Sequence, residues 1–223
     1  MGCLIEIVET LVLTVLIFWV VQTFIAQPYR VEQESMRSTL EPDQYVLVDK
    51  LTPHFAAYSR GDIVVFSAVR RDGSCESEPV DPRVNSEPPF IKRVIGLPGD
   101  RIDLTDGDVY VNGTRLDEPY VRGDATRPIS ETTHWLVEPD RLYVLGDNRN
   151  NSTDSRADSV GQVCIRDLVG KAWLRYWPID TLGMLNTPAY EGVPPADEVV
   201  PLGWLVAPVA RPAGAGAALA RAG

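Results

Sequence analysis

Two residues stand out for the chemistry they could do together: Ser35, followed by Met36, and Lys92 inside the run Phe90-Ile91-Lys92-Arg93-Val94-Ile95-Gly96. A serine hydroxyl attacks an amide only when a base takes its proton, and a lysine serves when its amine is neutral. Strand alternation places Phe90, Lys92 and Val94 on one face and Ile91, Arg93 and Ile95 on the other. Apolar neighbours would desolvate the Lys92 amine and lower its pKa. A drop from about 10.4 to about 8 corresponds to roughly 3 kcal/mol, which a folded domain can sustain at one site. Neutral Lys92 could then accept the Ser35 proton and later deliver it to a departing amine. A third segment, Gly146-Asp147-Asn148-Arg149-Asn150-Asn151-Ser152-Thr153-Asp154-Ser155-Arg156, is denser in turn formers, charges and hydroxyls than a plain loop requires. Asp154 and Arg156 can pair locally there, and the Ser152 hydroxyl could orient the lysine ammonium.

The elements that must position these residues read as short β-strands. Tyr45-Val46-Leu47-Val48 and Asp62-Ile63-Val64-Val65-Phe66 are rich in β-branched and aromatic residues. Asp108-Val109-Tyr110-Val111 before Asn112-Gly113 predicts a hairpin, because Asn-Gly accepts the positive φ angles of a type I′ turn. Leu142 to Leu145, Val163 to Ile165 and Ala172 to Trp177 complete the set, and no long amphipathic helix is predicted from Arg30 to Pro178. The expected fold class is mainly β. Ser67 to Pro89 is polar and carries Pro79, Pro82, Pro88 and Pro89, so a surface loop is expected there.

Residues 4–26 are mostly apolar and, as a helix, would span roughly 34 Å, enough for a bilayer core. No Lys or Arg precedes Arg30, and Phe24-Ile25-Ala26-Gln27 is a poor small-residue cleavage site. A retained anchor ended by Gln27-Pro28 is therefore expected rather than a cleaved leader. Charge alone leaves its orientation open. Residues 181–223 are rich in Pro, Ala and Gly and are expected to be a disordered tail. The net charge of −10 argues against a nucleic-acid partner. No spacing of Cys and His suggests a metal site, and no cofactor is expected. Cys164 reads as a small buried residue, and whether it pairs with Cys75 stays open. His54 and His134 read as ordinary surface residues in polar or loop contexts.

With these residues in place, the chain resembles the bacterial type I signal peptidases over roughly residues 5 to 180. The resemblance rests on the Ser35-Met36 box, Arg60-Gly61-Asp62-Ile63-Val64-Val65-Phe66, Ile91 to Asp100, and Gly146 to Arg156, four boxes in the family's order. It implies a membrane-bound serine endopeptidase with a Ser/Lys dyad, Ser35 as nucleophile and Lys92 as general base. Ser152 falls where the family keeps a hydroxyl on the lysine, and Asp147, Arg149, Asp154 and Arg156 fall on its structural charge network. The implied fold is an antiparallel β catalytic domain over residues 30–180, with a smaller β insertion at 99–140. The implied location is the cell membrane, single-pass, with the catalytic domain outside the cytoplasm; membrane lipid and exported preproteins are the expected partners, and a monomer is expected. Substrates would carry small residues at the first and third positions before the cut, with Val31, Met36, Leu40, Phe90 and Ile91 as matching pocket residues. Two departures stand out: the family's proline is Ser38 here, and Gln33 stands where some members place an oxyanion-binding serine. The Ser35 backbone N–H, with the Gln33 amide as a candidate second donor, would then hold the oxyanion. A self-cleaving repressor-like chain would carry a DNA-binding helix-turn-helix, and a Ser/His relative would carry histidine at Lys92. A membrane-tethered binding module would be expected to lose the serine or the lysine.

Overall fold

The computed structural model describes residues 2–51, 56–66, 75, 88–121, 123 and 125–195. An N-terminal helix, α1 (Gly2–Val20), passes through a π-helical turn (Val21–Ile25) into β1 (Ala26–Arg30). The main sheet adds β2 (Tyr45–Asp49), β3 (Ile63–Phe66), β4 (Phe90–Gly96), β9 (Arg141–Leu145), β10 (Val163–Cys164), β11 (Leu168–Trp177) and β12 (Gly183–Met184). Its order is β1-β2-β11-β3-β4-β9-β10, with β12 paired to β11, and its pairings are antiparallel. A smaller antiparallel sheet, ordered β7-β6-β5-β8, is built from β5 (Arg101–Thr105), β6 (Asp108–Val111), β7 (Thr114–Arg115) and β8 (His134–Leu136). The β6–β7 turn has Asn112 at φ 53° and Gly113 at φ 81°, the positive pair that Asn-Gly accepts.

Both faces of the main sheet are covered, which is why β3 reads as an unbroken apolar run and β4 is buried on both faces even where it carries Lys92 and Arg93. Ile63, Val65 and Ile91 join Val31, Met36, Leu40, Val46, Val48 and Ala172 on one side. Val64, Phe66 and Val94 join Leu142, Val144 and Val163 on the other. A third cluster ties the small sheet to the main one through Ile95, Ile102, Val111, Tyr143 and Leu145. Each fully buried Val or Ile contributes about 1.5–3 kcal/mol over its exposed state, so the central strands are held firmly.

Several expectations change. Among the described residues no helix is long and apolar enough to cross a membrane. The helix stops at Val20, and Gln27 and Pro28, expected to terminate it, lie within β1. Pro28 fits there because β1 is an edge strand with a free side. Residues 181–195, assigned to the tail by composition, contain β12 and lay Leu185, Tyr190 and Val193 on the apolar clusters. His134 sits in a strand, exposed, with Nδ1 2.6 Å from Asp103 Oδ1. His54, most of the 67–89 loop and the tail from 196 lie outside the described residues. Cys75 and Cys164 form a disulfide across 89 residues of sequence, which spacing alone did not favour.

A disulfide closing a loop of that length restricts the unfolded chain, typically stabilising by about 2–4 kcal/mol. Reducing it, or replacing Cys164 with serine, should lower the Tm by about 5–15 °C in thermal denaturation of the detergent-solubilised protein. An unchanged Tm under dithiothreitol would show that the bond does not constrain the fold.

Candidate active site

Ser35 lies in a single 3₁₀ turn (Glu34–Met36) between β1 and β2. The turn is held by Arg37 N–H on the Glu34 carbonyl at 3.0 Å and by Leu40 N–H on the Met36 carbonyl at 2.8 Å. Met36 and Leu40 anchor it in the core, both with no exposed surface. From the other side Asn148 grips it twice: its backbone N–H donates to the Ser35 carbonyl and its side-chain amide to the Glu34 carbonyl, each at 3.0 Å. Gly146 backs against the same place. A Cβ there would collide with the Ser35 carbonyl and the Ser152 hydroxyl, so glycine is required by the close approach.

The turn sets Ser35 Oγ 2.6 Å from Lys92 Nζ, and Nζ also donates to the Ile91 carbonyl at 3.0 Å. Lys92 sits in β4, 1% exposed, opposite Val64, with the Phe90 ring 5.7 Å away. Burial pushes its amine down to about 8, against the opposing pull of the Asp154 and Asp147 carboxylates.

Arg93, next along β4, is equally buried, but it stays charged. Its guanidinium meets Asp147 through two bonds of 2.8 and 2.7 Å, and donates to the Gly61 carbonyl at 2.8 Å. Burial alone would lower its pKa; the Asp147 contact outweighs that and raises it. Thr39 Oγ1 also donates to Asp147, at 2.5 Å. Arg156 forks onto Asp154 at 2.8 Å through both Nε and Nη2, and Asp154 accepts from the Gly146 N–H. Arg149 forks onto Glu118 and donates to the Gly146 carbonyl. Asp147, Arg149, Asp154 and Arg156 are thus brought together as buried pairs. Sequence reasoning missed Arg93 and Glu118, their long-range partners, because strand position hid the one and loop position the other.

Other candidates fall differently. Ser152 does not bond Lys92 here: its hydroxyl is buried against Gly146 without a hydrogen-bond partner. It lines the same cleft as Ser35. Gln33 is exposed and lines an open cleft of about 680 Å3 with Ser35, Phe90, Asn151 and Ser152. Val31 and Ile91 line a separate pit of about 20 Å3 beside Tyr29 and Pro89. Met36 and Leu40 line neither, being core residues. Ser38 has φ 101°, a region closed to proline, and its hydroxyl reaches the Tyr120 carbonyl at 2.5 Å.

A sequence model described as signal peptidase, peptidase S26, matches residues 4–177. A signal peptidase I of Leptolyngbya laminosa is 37% identical over 185 residues, covering 83% of this chain and 85% of that one. A signal peptidase I of Bacillus caldolyticus is 39% identical over 168 residues, covering 70% and 81%. A signal peptidase I crystal structure from Enterococcus faecalis V583 aligns with a TM-score of 0.38 at 28% identity, covering 52% of this chain and 97% of that one.

The burial of Lys92 has a stability consequence whose sign follows from its lowered pKa. Below about pH 8 both folded and unfolded states bind the proton, and the folded state bears the full penalty of a buried cation. Between about 8 and the ordinary lysine value only the unfolded state binds it, so stability rises with pH. Lys92→Met should therefore be more stable than wild type at pH 7, by at most about 3 kcal/mol, with the gap closing towards pH 10. Denaturant unfolding at the two pH values checks this; a variant equally destabilised at both would contradict it.

Proposed function

The chain belongs to the signal peptidase family, peptidase S26, a family of enzymes that remove signal peptides, and from that premise we propose that it cuts exported preproteins with Ser35 as nucleophile and Lys92 as general base. The 2.6 Å approach of Lys92 Nζ to Ser35 Oγ is the observation that carries the assignment. The neutral amine takes the hydroxyl proton while Oγ attacks the scissile carbonyl. The C–N bond then breaks, the departing amine takes the proton from Lys92, and an acyl-enzyme on Ser35 remains. Water, losing its proton to Lys92, hydrolyses that ester and restores the serine. The Ser35 backbone N–H, with Gln33 at the cleft edge, would supply donors to the oxyanion. Ser152, which lines the same cleft as Ser35 and whose hydroxyl has no partner among the described residues, would orient the amine.

We infer a substrate with small residues at the first and third positions before the cut. The narrow pit at Val31 and Ile91 supports this, since a larger side chain would not enter it. Membrane anchoring through the N-terminal segment is supported by its surface: Ile5, Val8, Leu11, Val12, Val15, Leu16 and Phe18 are each more than half exposed along one helix. Such a surface is stable only against an apolar medium. The Cys75–Cys164 disulfide supports a catalytic domain outside the cytoplasm, where such bonds persist.

A preprotein with an Ala-x-Ala site, offered in detergent to wild type and to Ser35→Ala, tests the proposal. Wild type should cut after the second alanine and Ser35→Ala should not, with a loss of about 10³-fold or more. For wild type, kcat/KM should climb as the pH passes through about 8, where Lys92 loses its proton. Cutting by both proteins, or a flat profile from pH 6 to 9, would overturn the assignment.

A further inference from the structure

Tyr120 lies in the loop after β7, outside every motif that carries the chemistry, yet it is tied directly or through one neighbour to each of the segments that build the site. Its ring covers the Arg93 guanidinium at 4.0 Å, on the face left free by the in-plane Asp147 fork. Its carbonyl accepts from Ser38 Oγ, three residues after the nucleophile. Its hydroxyl donates to Glu118 at 2.8 Å, and Glu118 holds Arg149, which in turn bonds the Gly146 carbonyl. One residue thus meets the nucleophile turn through its carbonyl and the lysine strand through its ring, and reaches the Gly146–Arg156 segment through Glu118.

A second tyrosine holds it in place. Tyr190 OH lies 2.7 Å from Tyr120 OH, and burial raises both phenols, so both stay neutral donors at working pH. Tyr190 rides on a strap that follows β12 and crosses from one sheet to the other. Leu185 N–H bonds the Trp173 carbonyl and Thr187 Oγ1 bonds Asp62 on the main-sheet side. Asn112 and Thr114 of the small sheet bond the Pro194 and Gly192 carbonyls. Gly61, at φ 91°, leaves room for Pro188 and the Tyr190 ring to pass. The strap lies beyond residue 177, where the family match ends.

We propose that Tyr120, set by Tyr190 of this strap, is a positioning residue that keeps the Ser35 turn and the Lys92 strand in register. The inference rests on the Ser35–Lys92 assignment. Removing the side chain would free one face of Arg93 and cut the hydroxyl's bond to Glu118, loosening the loop whose carbonyl holds Ser38 and letting the turn drift from β4. Drift of that kind admits water to Lys92 and returns its amine towards the ordinary lysine value, with Asp154 and Asp147 the charged groups acting on it. Misplacement of about 1 Å in a reacting pair is enough for large losses in rate.

The test uses the full chain in detergent, an Ala-x-Ala preprotein, and Tyr120→Ala, Tyr120→Phe, Tyr190→Phe, Ser38→Ala and Ser35→Ala. Tyr120→Ala should lower kcat by about tenfold or more with KM within about twofold, and should move the rising pH limb upward by about half a unit. Tyr120→Phe, which keeps the ring and the carbonyl, should recover most of that loss. A fold that is merely less stable would lower the amplitude without moving the limb. If Tyr120→Ala does not fold, Ser38→Ala and Tyr190→Phe each cut one contact and should show the same upward shift with about a threefold lower kcat. Folded variants with unmoved kcat and limb overturn the inference alone. Cutting by Ser35→Ala overturns the assignment on which it rests.

Discussion

A primary amine held out of water beside a serine hydroxyl is the constraint around which this structure is arranged. Lys92 and Arg93 are consecutive in β4 and both are buried, so strand alternation sends two cations into opposite sides of the same sheet. The two are treated in opposite ways. Arg93 cannot give up its proton, so it needs a carboxylate, and the Asp147 fork satisfies it. Lys92, among the described residues, bonds a hydroxyl and a carbonyl with no carboxylate in hydrogen-bonding reach, and its charged form is disfavoured. An ion pair at Lys92 would have kept the amine protonated and unable to take a proton from the serine. The neutral amine and the charged guanidinium follow from which side chain faces each of them.

Holding that arrangement takes material from distant parts of the chain. Asp147 and Asn148 are adjacent in sequence and reach different targets, one the lysine strand and the other the serine turn. The peptide between them therefore fixes the distance between the two catalytic elements. Gly146 allows the approach, and the Asp154–Arg156 and Arg149–Glu118 pairs stiffen the loop behind it. Breaking one partner of such a pair leaves an uncompensated buried charge, which costs about 3–5 kcal/mol. The loop is consequently a rigid brace and not a flexible lid.

Much of this was legible in the sequence, and the rest was not for identifiable reasons. Ser35 and Lys92, 57 residues apart, were paired only through their chemistry and the family boxes around them. Short-range signals were readable: Asn112-Gly113 as a hairpin, β3 and β4 as strands, Asp154 with Arg156. Partners far apart were not. Arg93 and Asp147 are 54 residues apart, Arg149 and Glu118 are 31, and nothing local in either residue names the other. The disulfide was hidden the same way, since Cys75 sits in a polar loop and Cys164 in a strand. Residues 181–195 were assigned to the tail because the stretch they open is rich in Pro, Ala and Gly. They bind largely through backbone carbonyls and two hydroxyls, a mode that composition does not record. Hydropathy set the end of the segment at Ala26; the α-helix gives way at Val21 to a π-helical turn, and the edge strand that tolerates Pro28 begins at Ala26.

The central claim is the charge state of one amine, and it can be measured without turnover. Lys50, Lys92 and Lys171 are the lysines of the chain, so ¹³C labelling at the lysine Cε positions gives a spectrum simple enough to assign with Lys92→Met. Titration of the detergent-solubilised protein should show the Lys92 resonance moving with a midpoint near 8. A midpoint at the ordinary lysine value, above 10, would mean that the amine is charged at working pH and that Ser35 is activated by something else.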